Sequence, residues 1–218
     1  MKKKNLEKAI ILGLILSTGV YGTAWAEEYS ETNNPYNTSI TDTYNTVTGD
    51  VVFELDKKAL ITNNGGTVTV DGKTTNGSLT VTTNADKIID SNGGTNNITM
   101  QGGIFLGTQD NKTNSAYGLY NSFGSIDLES QSADADIIID VKSAGLTNND
   151  IVAGIYNINN YAKILKDNNI NINTVGTFKI SASDKEAKQN TTVYGIGSRV
   201  INEDFVNPIN NAVNTTIT

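Results

Sequence analysis

The stretch AYGLYNS at residues 116–122 returns as VAGIYNI at residues 152–158 and, more loosely, as VYGIGSR at residues 193–199. The glycines of the three copies are 36 and 41 residues apart. Spacing of this size is typical of proteins built from stacked repeats, in which each repeat buries its apolar face against the next. We therefore interpret the motif as a stacking unit.

If each repeat holds two coils, one coil takes roughly 18 to 20 residues, which suits a turn of short strands. Stacking would place Leu119, Ile155 and Ile196 in an internal aliphatic ladder. A polar ladder near a corner would consist of Asn121, Asn157 and Ser198. The motif glycines Gly118, Gly154 and Gly195 would let the backbone turn or approach its neighbour closely. The alternative is a chance similarity of three Gly-aliphatic pairs in a Gly-rich β protein.

Asn and Thr dominate the rest of the chain, with 30 Asn and 28 Thr. Such a bias is typical either of disordered low complexity or of many short strands joined by turns. Alternation of apolar and polar residues favours strands, each with one buried face. The predicted strands are residues 50–55, 66–70, 78–82, 97–100, 136–141 and 169–173. The predicted turns are residues 63–66, 76–77, 91–94 and 147–150. A polar stretch at residues 183–188 is expected to be a loop or a single turn.

The first 26 residues have the pattern of a cleavable signal peptide. Lys2, Lys3, Lys4 and Lys8 form a basic region, an apolar run of about a dozen residues follows, and Ala24-Trp25-Ala26 is typical of a cleavage site. The apolar run is too short to span a bilayer as a helix, which disfavours the alternative of an N-terminal membrane anchor. We predict cleavage before Glu27 and export of the remainder.

Charge and composition exclude several classes of partner. The formal net charge is −7, and it becomes −10 when residues 1–26, with four Lys and one Glu, are removed. The only Arg is Arg199. Nucleic acid is therefore not expected as a partner, because phosphate binding needs clustered Lys and Arg. Absence of Cys in an exported chain means that disulfides do not contribute to stability.

The motif, the signal peptide and the Asn/Thr/Gly-rich strand phrases NNGGTVTVDG and NGSLTVTTNA together resemble the N-terminal passenger of a Gram-negative autotransporter. The resemblance implies an all-β, right-handed parallel β-helix displayed at the outer membrane and cell surface, often as an adhesin. It also implies anchoring through a C-terminal membrane barrel. The printed sequence ends at residues 214–218 in what reads as a strand, so we expect an N-terminal fragment that lacks the barrel.

We divide the chain into a signal peptide at residues 1–26, a flexible leader or N-terminal cap at 27–49, and β-helix repeats at 50–218. No metal or cofactor site is predicted. Without His or Cys the chain has neither a Ser-His-Asp system nor the usual zinc ligands. The phrase GGTVTVDG departs from calcium-binding repeats, since Val68 and Val70 stand where Gly and Asp are needed.

The expected function is adhesion to glycans or proteins of a host or neighbouring cell, without catalysis. Five tyrosines could stack on sugars or pack along the solenoid: Tyr117, Tyr120, Tyr156, Tyr161 and Tyr194. One alternative is a secreted β-helix polysaccharide lyase or hydrolase. Its carboxylates would be Asp134, Asp136 and Asp140, which lie in register on one strand face and could share a cation. The non-catalytic interpretation is that these carboxylates keep a strand edge soluble. A further alternative is a non-adhesive surface spacer.

Overall fold

The described part of the chain is all-β. The computed structural model describes residues 26–30, 39–41, 43–73, 76–109, 115–144, 146, 150–159, 168–186, 191–200 and 213–218. Strands hold 72% of these residues, and no helix occurs among them. It follows that this part of the chain has no helix long and apolar enough to cross a membrane.

The described strands form two sheets, and every pairing is parallel. The ten-stranded sheet contains β1 (Ala26–Ser30), β2 (Tyr44–Thr48), β4 (Ile61–Asn63), β5 (Thr67–Gly72), β7 (Lys87–Met100), β9 (Ala116–Ser130), β11 (Ile151–Asn159), β12 (Asn168–Thr174), β14 (Thr192–Val200) and β15 (Val213–Ile217). The five-stranded sheet contains β3 (Val51–Leu55), β6 (Leu79–Thr83), β8 (Ile104–Thr108), β10 (Ile137–Ser143) and β13 (Phe178–Asp184).

The two sheets are interleaved along the chain. Strands of the larger sheet precede and follow each strand of the smaller one. The smaller sheet has the order β13-β10-β8-β6-β3, and the longest path through the larger sheet is β1-β2-β5-β7-β9-β11-β14. In both paths, therefore, the spatial order of the strands follows their order along the chain.

The apolar core lies between the two sheets. Ile137, Ile139 and Val141 alternate with half-buried residues along β10, and all three are fully buried. Methyl groups of Ile139 and Val141 face Gly118 of β9 across the core. The apolar residues of the alternating pattern are therefore the ones on the buried face of the strand. All six predicted strands are confirmed, either within one or two residues at each end or as part of a longer strand.

The repeated motif is confirmed as a stacking unit. Leu119 pairs with Ile155 and Ile155 with Ile196, so the predicted aliphatic ladder exists in register. Leu119 and Ile155 are buried, whereas Ile196 in β14, at the edge of the sheet, is 43% exposed because no further described strand pairs with β14 on that side. Ile196 is therefore in the predicted ladder, but the prediction that its side chain is internal is wrong.

The prediction of two coils per repeat is wrong. The motif strands β9 and β11 pair directly with each other, and so do β11 and β14. Each repeat is therefore one layer of the larger sheet rather than two, and the 36 residues between Gly118 and Gly154 include the β10 strand of the other sheet.

Residues 91–94, predicted as a turn, lie inside β7 as a bend. The pairing of β7 with β9 shifts register between Ser91 and Asn92 and again between Asn92 and Thr95. Gly93 has a φ of 97°, a conformation that side chains with a Cβ rarely adopt. The strand thus changes direction without losing its pairing with β9, which alternation of residues could not reveal.

A polar row lies next to the bend, as predicted for Asn121, Asn157 and Ser198. These residues pair in register; Asn121 and Asn157 are fully buried, whereas Ser198 in the edge strand β14 is exposed. The Asn121 amide donates to Asn157 Oδ1 at 3.1 Å and to the carbonyl of Gly124, beyond the bend, at 3.1 Å. The amide of Asn157 donates to the carbonyls of Asn168 at 3.3 Å and Asn214 at 2.8 Å. The row therefore joins neighbouring layers and ties each strand to the chain beyond its bend.

Several predictions fall partly or wholly on other parts of the chain. The signal peptide lies outside the described residues except for Ala26, which begins β1. Within residues 27–49 the structure contains the rest of β1 and all of β2, while the division of the chain at residues 26 and 49 stays a prediction. Ser183 and Asp184 belong to β13 rather than to the predicted loop, and Lys185 and Glu186 form a turn.

Substitution of Gly118 by Ala should destabilise the fold, because the added Cβ would collide with the carbonyl oxygen of Gly154 and lie 2.5 Å from Cγ2 of Ile139. We expect the free energy of unfolding in urea to fall by about 1–3 kcal/mol, as for other overpacked sites. Gly195→Ala is the matched control, since a Cβ at that motif position meets nothing within 4 Å. Equal losses in both variants would contradict the close approach of the layers.

Substitution of Asn157 by Ala should leave the buried carbonyl of Asn168 and the partly buried carbonyl of Asn214 without their amide donor. The expected loss in the free energy of unfolding is about 1–3 kcal/mol. Asn171→Ala is the control, because the Asn171 amide donates only at the surface, to Asp127, and its loss should change stability by less than about 0.5 kcal/mol. If Asn157→Ala proved no worse than Asn171→Ala, the polar row would not stabilise the layers.

Candidate binding surface

Tyrosines lie side by side on the outer face of the larger sheet. Pairing of β7, β9, β11 and β14 produces one row of Lys87, Tyr117, Ala153 and Tyr194. The neighbouring row contains Asp90, Tyr120, Tyr156 and Gly197. We call Tyr117, Tyr120, Tyr156 and Tyr194 the tyrosine surface.

Two successive inward residues in β9, Gly118 and Leu119, explain why Tyr117 and Tyr120 share a face. Residues three apart on a regular strand point to opposite faces. In β9, however, two successive residues face the core: Leu119 is buried there, and a Cβ at Gly118 would contact Ile139. The same pattern occurs one layer earlier, where Ile88 and Ile89 are both fully buried. Two inward residues in succession return the next residue, Tyr120, to the outer face beside Tyr117.

The rings form a continuous aromatic contact across three strands. Ring centroids of Tyr117 and Tyr120 are 5.1 Å apart and nearly edge to face. Tyr156 stacks on Tyr120 at 6.0 Å and on Tyr194 at 6.3 Å, with interplanar angles of 28° and 29°. Aromatic pairs in this range attract each other beyond the effect of area burial, by about 0.5–1.5 kcal/mol.

Among the four tyrosines, the one in the edge strand β14 is the most exposed. Tyr156 is only 6% exposed, Tyr117 and Tyr120 are half-buried, and Tyr194 is 40% exposed. Of the two alternatives for the tyrosines, Tyr156 follows the one in which the ring packs against its neighbours: it lies with Ala153 and Ile158 in an apolar cluster separate from the main core. Tyr161 lies outside the described residues. The surface that solvent reaches best is therefore around Tyr194.

Charged groups flank the tyrosines. The Lys87 ammonium lies 3.9 Å from the centroid of the Tyr120 ring and 2.9 Å from Asp90 Oδ2. Burial raises the pKa of the Tyr117 hydroxyl, although a hydrogen bond with Ser115 opposes this. The hydroxyl of Tyr117 is therefore neutral at neutral pH. Sequence reasoning did not find Lys87 and Asp90, since their pairing with the tyrosines depends on the register of β7.

The three aspartates of the enzyme alternative do not assemble a cation site. Asp136 Oδ2 lies 2.6 Å from the Lys179 ammonium, and Asp140 Oδ2 lies 2.7 Å from that of Lys142. Asp140 also accepts a hydrogen bond from Ser181, while Asp134 is exposed. No group of three acidic side chains able to hold a metal ion occurs in the described part of the chain. Arg199 lies in the other sheet.

These ion pairs change the acidity of the carboxyl groups. The hydrogen bond from Lys179, with a second from the Thr177 backbone, lowers the pKa of Asp136. Burial raises the pKa of Asp140, but hydrogen bonds from Lys142 and Ser181 outweigh it, and the net shift is downward. Both carboxylates are therefore ionised at neutral pH and bound to ammonium groups, as expected for a solvated strand face.

Comparison with known proteins gives no match to a family model, to a curated protein or to a solved structure.

Stability should fall at acid pH. A carboxyl whose pKa is lowered on folding stabilises the fold above its unfolded-state pKa, and this stabilisation is lost as the pH falls through the lower, folded-state pKa. We expect the urea midpoint to decrease below the ordinary Asp value of 3.8. Asp140→Asn should have a lower midpoint than the unsubstituted chain at pH 7, and the two should converge in acid. Asp134→Asn should follow the unsubstituted chain, since Asp134 makes no ion pair with a described residue; parallel curves for Asp140→Asn and the unsubstituted chain would contradict the proposed linkage.

Proposed function

We propose that the chain is a right-handed parallel β-helix of an exported surface protein, and that it binds other surfaces through the tyrosine surface. Three features support the solenoid: all described pairings are parallel, the sheets are interleaved along the chain, and equivalent motif residues pair in register. Layers that stack in this way satisfy their backbone groups between neighbours, so such a body can be long without a large globular core.

The observation that carries the binding function is the row of four tyrosine rings outside the core. A Tyr ring has an apolar face and a polar hydroxyl, which is why Tyr is enriched where proteins bind sugars or other proteins. In the repeat these rings are not needed to fill the space between the sheets, because Leu119, Ile155 and Ile139 already occupy it. The tyrosine surface is thus a feature added to the scaffold.

Export and display form the second part of the proposal. The basic and apolar segments at residues 1–26 favour passage through a membrane by a cleaved signal peptide. The absence of Cys and the resemblance to autotransporter passengers favour a location at the bacterial cell surface, with glycans or proteins of another cell as partners. Anchoring would come from a barrel in a longer polypeptide.

Substitution of Tyr120 by Ala should weaken binding of the purified full chain to cultured cells and to immobilised glycans and matrix proteins. A tenfold loss, equal to about 1.4 kcal/mol, is expected for truncation of one central aromatic residue. Phe105→Ala is the matched control, because Phe105 is a half-buried aromatic residue of β8 in the smaller sheet. Far-UV circular dichroism would check that both variants fold.

Two outcomes of this experiment contradict the proposal. If Tyr120→Ala and Phe105→Ala bind as well as the unsubstituted chain, the tyrosine surface is not the binding site. If the unsubstituted chain itself is not retained on any of these surfaces, the chain acts as a spacer rather than as an adhesin.

A further inference from the structure

A cleft of about 450 Å³ lies at the exposed end of the tyrosine surface. Its volume falls within the range of small-molecule sites in proteins. The lining residues come from β11 and β14 and include Tyr156, Thr192, Tyr194, Gly197, Ser198 and Arg199. The lining residues therefore include two tyrosines, two residues with aliphatic hydroxyl groups, and one arginine.

Gly197 lets the two rings lie close to the backbone of β14. It occupies the position of β14 that pairs with Tyr156, where the preceding layers have Tyr120 and Asp90. A Cβ at Gly197 would lie 2.8 Å from Cδ2 of Tyr156 and 3.4 Å from Cδ2 of Tyr194. Because Gly197 has no side chain, the rings of Tyr156 and Tyr194 cover it, and the cleft lies beside them.

The charge of the cleft is set by Arg199. None of the described residues that line the cleft is acidic, and no carboxylate of a described residue lies within ion-pair distance of Arg199. The other ammonium groups discussed above are bound to aspartates, such as Lys87 to Asp90. A guanidinium group presents paired N–H donors that match the two oxygens of a carboxylate. At physiological ionic strength, salt screens the negative charges of the chain that lie more than roughly 8 Å from Arg199.

We propose that this cleft binds a saccharide that carries a carboxylate. The apolar face of the sugar ring would lie against the exposed ring of Tyr194, the hydroxyl group of Thr192 would bond a sugar hydroxyl, and Arg199 would bind the carboxylate. This inference rests on the proposed surface-binding function and names the class of ligand. It also explains the position of the only Arg of the chain.

The test is a calorimetric titration of the purified full chain with two uronic-acid probes, a hyaluronan tetrasaccharide and trigalacturonic acid. Each has a carboxyl-reduced, neutral counterpart as the ligand control. We expect at least one acidic probe to bind at least about tenfold more tightly than its neutral counterpart, as for a charge pair at an interface. Arg199→Gln should abolish this preference, and Tyr194→Ala should weaken both forms. Lys179→Gln is the matched control, since it also removes one positive charge but lies in β13 of the other sheet.

Circular dichroism of each variant keeps loss of folding apart from loss of binding, and Tyr194→Phe serves if Tyr194→Ala does not fold. Lack of binding by both acidic probes, equal binding of acidic and neutral forms, or an unchanged preference in Arg199→Gln would overturn the proposal. Cell retention is measured on the same samples. Retention without saccharide binding would refute the cleft and leave the surface function standing, whereas saccharide binding without retention would refute the surface function and leave the cleft.

Discussion

Parallel pairing in register is the constraint on which the rest of the structure depends. Stacked parallel strands lie about 4.8 Å apart, so each residue has the equivalent residue of the next layer as its nearest neighbour on either side. A side chain is therefore acceptable only if it packs against its own equivalent. Leu119 and Ile155 satisfy this by forming an apolar ladder, and the glycines at 118 and 154 satisfy it by allowing the layers to approach closely.

Asparagine solves the same problem for polar positions. An amide carries both donors and an acceptor, so one Asn can bond to the next in a row, as Asn121 does to Asn157. A buried carboxylate could not, because identical charges would lie at strand spacing. Two acidic residues at the smaller sheet, Asp136 just before β10 and Asp140 within it, are instead partly exposed and form ion pairs with Lys179 and Lys142. The high content of Asn follows from stacking rather than from a lack of structure.

Sequence reasoning predicts the parts of this fold that depend on alternation. Strands such as β10 were predictable because every second residue is apolar. The breaks in this alternation were not predictable, because they place two inward residues in succession, at Ile88 and Ile89 and again at Gly118 and Leu119. The number of layers per repeat was also missed. Paired strands are separated by unequal lengths of chain, 25 residues from Leu79 to Ile104 but 41 from Ile137 to Phe178, so the period is hidden by the connections.

The candidate site could be predicted only in part for the same reason. The tyrosines are visible in the sequence, but their common face depends on the two successive inward residues Gly118 and Leu119. The near-complete burial of Tyr156 depends on its neighbours in adjacent layers. Inward positions are restricted by the core and by the equivalent residues above and below, whereas outward positions can change from one layer to the next. Gly197 after Tyr120 and Tyr156 is such a change: the missing outward side chain leaves the core intact and lets the rings of Tyr156 and Tyr194 lie against β14. A stacked fold of this kind can therefore alter its outer surface at a single outward position, while the rows that hold its layers together remain the same.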